Sequence, residues 1–421
     1  VTDQLIQLRG LLATQRTNPF YAARLAGTGL LDGVASLGEF SARCPFTTKA
    51  ELVADQQAHP PYGTNLTFPL ERYTRCHQTS GSTGSPLRWL DTPESWTWML
   101  DNWETVHRQA GTTAADRIFF AFSFGPFLGF WTAFESAQRL GCLVFSGGGM
   151  TSVARLRAIL DLRATMLCCT PTYAIHLAEV AAKEGLDLRR SCVKTLSVAG
   201  EPGGSIPATR ARLAELWPGA RVYDHHGMTE VGPVSYECSV RPGVLHVIER
   251  AFIAEVVDPA TGQPVGDGGQ GELILTNLGR TGSPLLRYRT GDLVKLSTRD
   301  PQPSPCPCGS PDLALEGGIL GRVDDMVVVR GVNVYPSAIE EIVRRVGGVA
   351  EYQVRVSRRQ ALVELTVTVE PAVDGSGPDL AGRLAAAFES SLTLRVPVLL
   401  AAPGSLPRFE SKARRWAREP G

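Results

Sequence analysis

Apart from its last residue, the segment Thr79-Ser80-Gly81-Ser82-Thr83-Gly84-Ser85-Pro86 consists of Gly, Ser and Thr. Glycines let backbone N–H groups turn inward around an anion, and the hydroxyls add neutral donors for phosphate oxygens. The segment reads as a loop for nucleotide phosphates, with an ordinary polar turn as the alternative. It lacks the Gly-Lys-Ser/Thr ending of a P-loop.

Five further segments carry residues of chemical use. Val198-Ala199-Gly200-Glu201-Pro202 ends a strand-like run with a glycine that would admit a flat ring. Tyr223-Asp224-His225-His226-Gly227-Met228-Thr229-Glu230 offers a hydroxyl beside a carboxylate. Arg287-Tyr288-Arg289-Thr290-Gly291-Asp292-Leu293 offers an Asp suited to a sugar diol, or simply to capping a turn. Gly321-Arg322-Val323-Asp324-Asp325-Met326 runs on to Gly331-Val332-Asn333-Val334-Tyr335-Pro336-Ser337 as a junction. Leu406-Pro407-Arg408-Phe409-Glu410-Ser411-Lys412-Ala413-Arg414 places one Lys near the end.

Nine cysteines, an odd number scattered over 421 residues, argue against a disulfide framework. Cys44, Cys76, Cys142, Cys168, Cys169 and Cys192 read as buried free thiols. Cys306-Pro307-Cys308-Gly309 differs: a glycine after the second thiol permits a turn that points both sulfurs at one ion. Cys238 and His246 lie upstream, where two antiparallel strands or a loop would bring them together.

These residues need elements to hold them. The stretch to about Glu71 reads as helical, broken by Pro60-Pro61-Tyr62-Gly63. Strand and helix patterns then alternate: Arg117–Phe122, Cys142–Phe145, Thr165–Cys169 and Val193–Val198 as strands, with Phe130–Leu140, Thr172–Glu184 and Ile206–Trp217 as helices. That rhythm predicts an α/β fold with a doubly wound, largely parallel sheet, whose ligands sit at the carboxyl ends of strands. From about Gly232 to 320 the chain turns β-rich, with strands over Phe252–Val257 and Gly271–Thr276. After Gly321-Arg322 strands and helices alternate again, over Met326–Val329, Pro336–Val346, Glu351–Ser357, Ala361–Glu370 and Leu380–Leu392, as a small α+β domain.

Basic and acidic residues balance at 42 each, so no electrostatic footprint for nucleic acid or anionic membrane is visible. With 43% apolar and 20% charged residues the chain reads as globular. No apolar stretch approaches the roughly 20 residues a spanning helix needs, and no leader pattern opens the chain; a cytoplasmic location is expected. Val1 in place of an initiator Met implies processing or trimming.

Taken together and in this order, the six segments resemble the adenylate-forming superfamily of acyl-CoA synthetases, nonribosomal-peptide adenylation domains and luciferases, and within it the phenylacetate-CoA ligase branch, from about residue 70 onward. The resemblance implies an adenylation domain over 1–322 and a mobile cap over 323–421. It implies two steps: a carboxylate attacks the α-phosphorus of ATP, releasing pyrophosphate, and a thiol or amine then displaces AMP. Such chemistry depends on neutralising charge around a five-coordinate phosphorus.

By the same resemblance, Ser80, Ser82, Thr83 and Gly84 would hold the β- and γ-phosphates, Thr229 the α-phosphate, and Glu230 a Mg2+ ion. Gly200, Glu201 and Pro202 would flank adenine, with Asp224 near its amino group. Asp292 would accept the ribose hydroxyls with help from Arg322. Lys412 would bridge carboxylate and α-phosphate, and Asp324 would be the hinge of the cap. The acyl pocket would be lined by Phe124, Phe127, Trp131, Ala199, His225, His226, Gly227 and Met228. Phe122 and Phe130 belong either to it or to plain core. Such aromatic density favours an aryl acid. Glu237-Cys238, Gly243–His246 and Cys306–Gly309 match zinc positions of the branch, where four ligands would close a structural tetrahedron; reduced, unliganded thiols are the alternative.

The chain also departs from its relatives. Ser85 stands where many have Lys, and His225-His226 precedes Gly227 where a Tyr is common. His226 would orient the carboxylate or an ortho substituent, or simply pack. The N-terminal region is short. The expected acceptor is CoA; an amine, a carrier-protein thiol or another nitrogen nucleophile such as nitrite, in natural-product biosynthesis, is the alternative. A non-catalytic binding module on the same fold is a second alternative, and a homodimer is left open.

Overall fold

The computed structural model describes residues 3–79, 86–298, 306–330, 332–359, 362–372, 379–409 and 413–418. They pack as two compact units: 1–149 with 224–318, and 150–223 with 319–421. No helix among the described residues is long and apolar enough to cross a membrane.

In the first unit the N-terminal stretch is helical, as its pattern predicts, in helices Asp3–Thr14, Pro19–Leu25, Leu37–Arg43 and Lys49–Ala58. The last of these begins with a capping box: the Thr48 hydroxyl accepts from the Glu51 N–H while the Glu51 carboxylate accepts from the Thr48 N–H. Strands Arg75–Gln78 and Arg88–Asp91 pair antiparallel, with Gln78 opposite Arg88, and form the stem of the Gly/Ser/Thr loop. Thr79 closes that stem, its N–H donating to the Leu87 carbonyl at 2.9 Å and its hydroxyl accepting from the Leu87 N–H at 3.0 Å.

Helix Pro93–Gln109 follows, with Thr92 as N-cap. Strand Arg117–Phe120 then pairs parallel with Leu143–Ser146, connected through helix Leu128–Arg139. The first strand ends two residues earlier than its apolar run suggests: the pairing with Leu143–Ser146 closes at Phe120, whose carbonyl accepts from the Gly147 N–H at 2.9 Å, and the chain beyond it is irregular, with Phe124 a non-glycine at φ 54°. The β-rich part carries antiparallel strands Phe252–Val257, Gln270–Asn277 and Tyr288–Lys295. A smaller sheet comprises Ser235–Glu237, Leu245–Val247 and Ala314–Leu315.

In the second unit strands Met166–Cys169 and Thr195–Val198 run parallel around helix Pro171–Lys183, which starts with Pro at its first position and Thr170 as N-cap. Helix Pro207–Leu216 follows and ends at Trp217, fully enclosed and bonded through its indole N–H to the Ala174 carbonyl at 3.0 Å. The C-terminal part is a four-stranded sheet in the order Val398–Leu400, Leu362–Pro371, Val349–Arg359, Trp416–Arg418. Helices Pro336–Val346 and Leu380–Leu392 pack on it through Ile339, Val343, Leu384 and Phe388 against Val354 and Val367. Arg415 is buried there, its Nε 2.6 Å from Glu351 and Nη1 3.4 Å from Glu340.

Candidate active site

The phosphate loop proper, including Ser80, Ser82, Thr83 and Gly84, and the C-terminal Lys412 lie outside the described residues. What the first unit shows is the ground on which the loop stands. The Gln78 N–H donates to the Pro126 carbonyl at 2.8 Å, tying the stem of the loop to the aromatic turn Phe122–Phe127.

That turn and the helix after it carry aromatic side chains that are not core. Phe122 and Phe130 are half-buried and stack with centroids 3.9 Å apart. Phe127 meets Phe130 edge-on at 6.1 Å, and Phe124 meets Trp131 edge-on at 5.2 Å. Trp131 is exposed and donates its indole N–H to the Gly125 carbonyl at 3.0 Å. Helix Leu128–Arg139 packs against the short strand pair Gly227–Met228 and Gly232–Pro233. Close pairing there needs glycine, since a Cβ at 227 would stand 2.8 Å from the Gly232 carbonyl oxygen.

The His225–Glu230 stretch is therefore set beside the aromatic helix. The His225 ring lies edge-on to Trp103 at 4.7 Å. Burial pushes its imidazole down to about 3, with smaller contributions from His107 and His226. His226 directs Nε2 at Asp292 Oδ2, 2.9 Å away. The Nδ1 atoms of both histidines are buried and find no hydrogen-bond partner among the described residues. The Asp224 N–H donates to Glu237 Oε2 at 3.2 Å.

The Glu230 carboxylate is buried, and Lys49 Nζ approaches it at 3.1 Å. Behind the Thr229-Glu230 turn stands Arg280, a residue that no spacing in the sequence singled out. Its Nη1 donates to the carbonyls of Thr229 and Glu230 at 2.7 and 2.9 Å.

Cys238, His246, Cys306 and Cys308 converge, with ligand atoms within 4.8 Å of one another. The register explains it. His246 sits in the middle strand of the small sheet, opposite Tyr236 and Ala314, and Cys238 follows the end of the first strand. The turn Cys306–Ser310 closes through Gly309 N–H to the Cys306 carbonyl at 2.6 Å. Cys238 and Cys306 sulfurs are 3.6 Å apart, and Cys308 Sγ is 3.4 Å from His246 Nε2. A tetrahedral zinc with Zn–S bonds of about 2.3 Å sets sulfurs about 3.8 Å apart, so the donor set fits that ion. The His246 Nδ1–H donates to the Asp312 carbonyl at 3.0 Å, which leaves Nε2 as the ligand atom.

Ala199, Gly200, Glu201, Pro202, Arg322 and Asp324 belong to the second unit. The Glu201 carboxylate, expected at adenine, accepts from the backbone N–H of Thr172 at 2.9 Å and of Ala413 at 2.8 Å. Arg322 Nε pairs with Asp324 Oδ1 at 2.9 Å, both exposed.

Comparison with known proteins bears directly on this arrangement. The family model described as AMP-binding enzyme matches residues 77–279, and the one described as AMP-binding enzyme C-terminal domain matches 331–418. A phenylacetate-coenzyme A ligase of Thermus thermophilus is 32% identical over 94% of this chain and 91% of its own length. One of Pseudomonas putida is 31% identical over 97% and 92%. A crystal structure of 2-hydroxyisobutyryl-CoA ligase in the postadenylation state, 30% identical, superposes with a TM-score of 0.91 over 99% of this chain and 89% of that one.

Proposed function

The chain belongs to the AMP-binding enzymes, in the family of the phenylacetate-coenzyme A ligases, and from that premise we propose that the carboxylic acid it activates is aromatic. The family reaction is ATP-dependent: the acid becomes an acyl-adenylate with loss of pyrophosphate, and the thiol of CoA displaces AMP to give a thioester. The observation that carries the aromatic reading is the half-exposed cluster Phe122, Phe124, Phe127, Phe130 and Trp131, on a turn and helix that pack beside Gly227-Met228. Flat rings offer offset and edge contacts to an aryl group that an aliphatic acid uses less well. His225 and His226, which immediately precede Gly227-Met228, are the residues assigned in this reading to the carboxylate or a ring substituent.

Within this reading Ser80, Ser82, Thr83, Gly84 and Thr229 hold phosphates, Glu230 takes Mg2+, and Asp292 with Arg322 holds the ribose. Gly200, Glu201, Pro202 and Asp224 belong to the adenine side. Lys412 serves adenylation, and a cap over 323–421 turns about Asp324. Glu230 suits a hard cation because its carboxylate is buried and already attracts the ammonium of Lys49. Zinc at Cys238, His246, Cys306 and Cys308 is structural, since four protein ligands leave no position for water. A cytoplasmic site of action and a place in natural-product assembly complete the proposal.

Pyrophosphate release measured across benzoates, hydroxybenzoates, aminobenzoates, phenylacetates and short aliphatic acids tests the acid. The aryl acids should give the highest kcat/KM; a preference for a short aliphatic acid would overturn the aromatic assignment. Repeating the panel with CoA, amines and nitrite separates the acceptors.

A further inference from the structure

Arg280 and Asp91 form an ion pair in which both side chains are completely enclosed, at 0% exposure. Arg280 Nε and Nη2 donate to the two Asp91 oxygens at 2.6 and 2.7 Å. The third nitrogen, Nη1, donates to the carbonyls of Thr229 and Glu230. The guanidinium lies 5.3 Å from the centre of the Trp89 ring. Every nitrogen of the fork is used, which only a planar guanidinium can do.

A buried pair of this kind adds little to stability, because desolvation offsets most of the attraction, and apolar replacements of similar volume are often neutral. Its place in the chain points to another use. Asp91 ends the strand that leaves the phosphate loop. Arg280 opens the segment that leads to Arg287 and Asp292, and neighbouring bonds pin that segment: Gly282 N–H to Ser95 Oγ at 3.2 Å and Ser283 Oγ to the Leu90 carbonyl at 2.9 Å. The two carbonyls belong to the Thr229-Glu230 turn. One guanidinium thus joins three segments on which the proposed ATP contacts stand.

We propose that Arg280, oriented by Asp91, is a positioning residue for the adenylation step, fixing the Thr229-Glu230 backbone so that the hydroxyl and the carboxylate face the α-phosphate and the metal. This rests on the reading that Thr229 and Glu230 serve MgATP. Misplacing such groups by about 1 Å costs on the order of 100-fold in rate. Thioester formation from a finished adenylate needs neither group in that role, so the two half-reactions respond differently.

The test pairs two variants. Asp91→Leu with Arg280→Met removes both charges together and leaves no unpaired one; Arg280→Lys keeps the charge and loses the fork. The measurements are kcat and KM for MgATP in acid-dependent pyrophosphate release, CoA-thioester formation from chemically supplied acyl-adenylate, and melting temperature. The double variant should melt within about 4 °C of the parent and lose about 10- to 100-fold in pyrophosphate release, with Arg280→Lys in between. Thioester formation should stay within about twofold. Unchanged kcat and KM in the double variant, or equal loss in both half-reactions, overturns the proposal. If the double variant does not fold, the same split is read on Arg280→Lys, and equal losses there have the same meaning. Failure of the underlying functional reading is seen separately, as a parent protein that releases no pyrophosphate with any acid.

Discussion

The Nε2 atom of His226 lies 2.9 Å from Oδ2 of Asp292, and the two side chains are nearly enclosed, at 12% and 7% exposure. The residue assigned to the ribose is thereby coupled to the histidine pair beside the aromatic helix. Asp292→Asn replaces a two-oxygen acceptor by one with a single oxygen. Hydrogen bonds to charged groups contribute about 1.5–3 kcal/mol, so KM for ATP should rise about 10- to 100-fold. Initial rates against ATP concentration check this; an unaltered KM would remove Asp292 from the nucleotide site.

Lys412, proposed to bridge carboxylate and α-phosphate, should matter in one half-reaction only. Lys412→Ala is expected to lose nearly all adenylate formation while thiolysis of a supplied adenylate persists. Single-turnover assays of both steps decide the point, and equal loss in the two would defeat the assignment.

The four-ligand cluster should hold about one zinc per chain. Metal analysis of native protein, together with thiol titration, measures it. Cys306→Ser should release the metal and leave the remaining thiols reactive. Metal content far below one per chain, with Cys238, Cys306 and Cys308 all reactive in the native protein, would return these residues to ordinary thiols.

His107 is 2% exposed, and its Nε2–H donates to the Ala133 carbonyl at 3.1 Å. Burial pushes its imidazole down to about 4, the backbone bond opposing only weakly. Between pH 4 and the ordinary value of 6.5 the unfolded chain binds the proton and the native state does not, so stability falls as pH drops through that window. At about 1.4 kcal/mol per unit, the loss from this residue is on the order of 3 kcal/mol at the acid end. Denaturant midpoints from pH 7 to 4 test it: His107→Gln should flatten the profile, and an equally steep one would contradict the assignment.

Elements with local punctuation were legible in the sequence. Pro336–Val346 and Leu380–Leu392 have the predicted bounds, the first opening on Pro, the second capped by the Asp379 side chain. The strand Phe252–Val257 also stands as its pattern predicts. The run Arg117–Phe122 overran the strand by two residues because apolar composition does not reveal where the partner strand Leu143–Ser146 ends. The convergence of Cys238, His246, Cys306 and Cys308 could be read because their types are rare and their spacing restrictive. Arg280 and Asp91 could not: they are 189 positions apart, and an Arg or an Asp in isolation is ordinarily a solvated charge. Glu201 shows the same limit, since nothing in its motif announces the backbone N–H groups of Thr172 and Ala413 that its carboxylate accepts from.

Incubating the protein with ATP, Mg2+, CoA and an aryl acid, and quantifying products by mass, tests the central claim most directly. AMP, pyrophosphate and the aryl-CoA thioester should appear in equal amounts, and none without the acid. Folded protein that forms no thioester from any carboxylic acid, or that releases ADP in place of AMP, would contradict it.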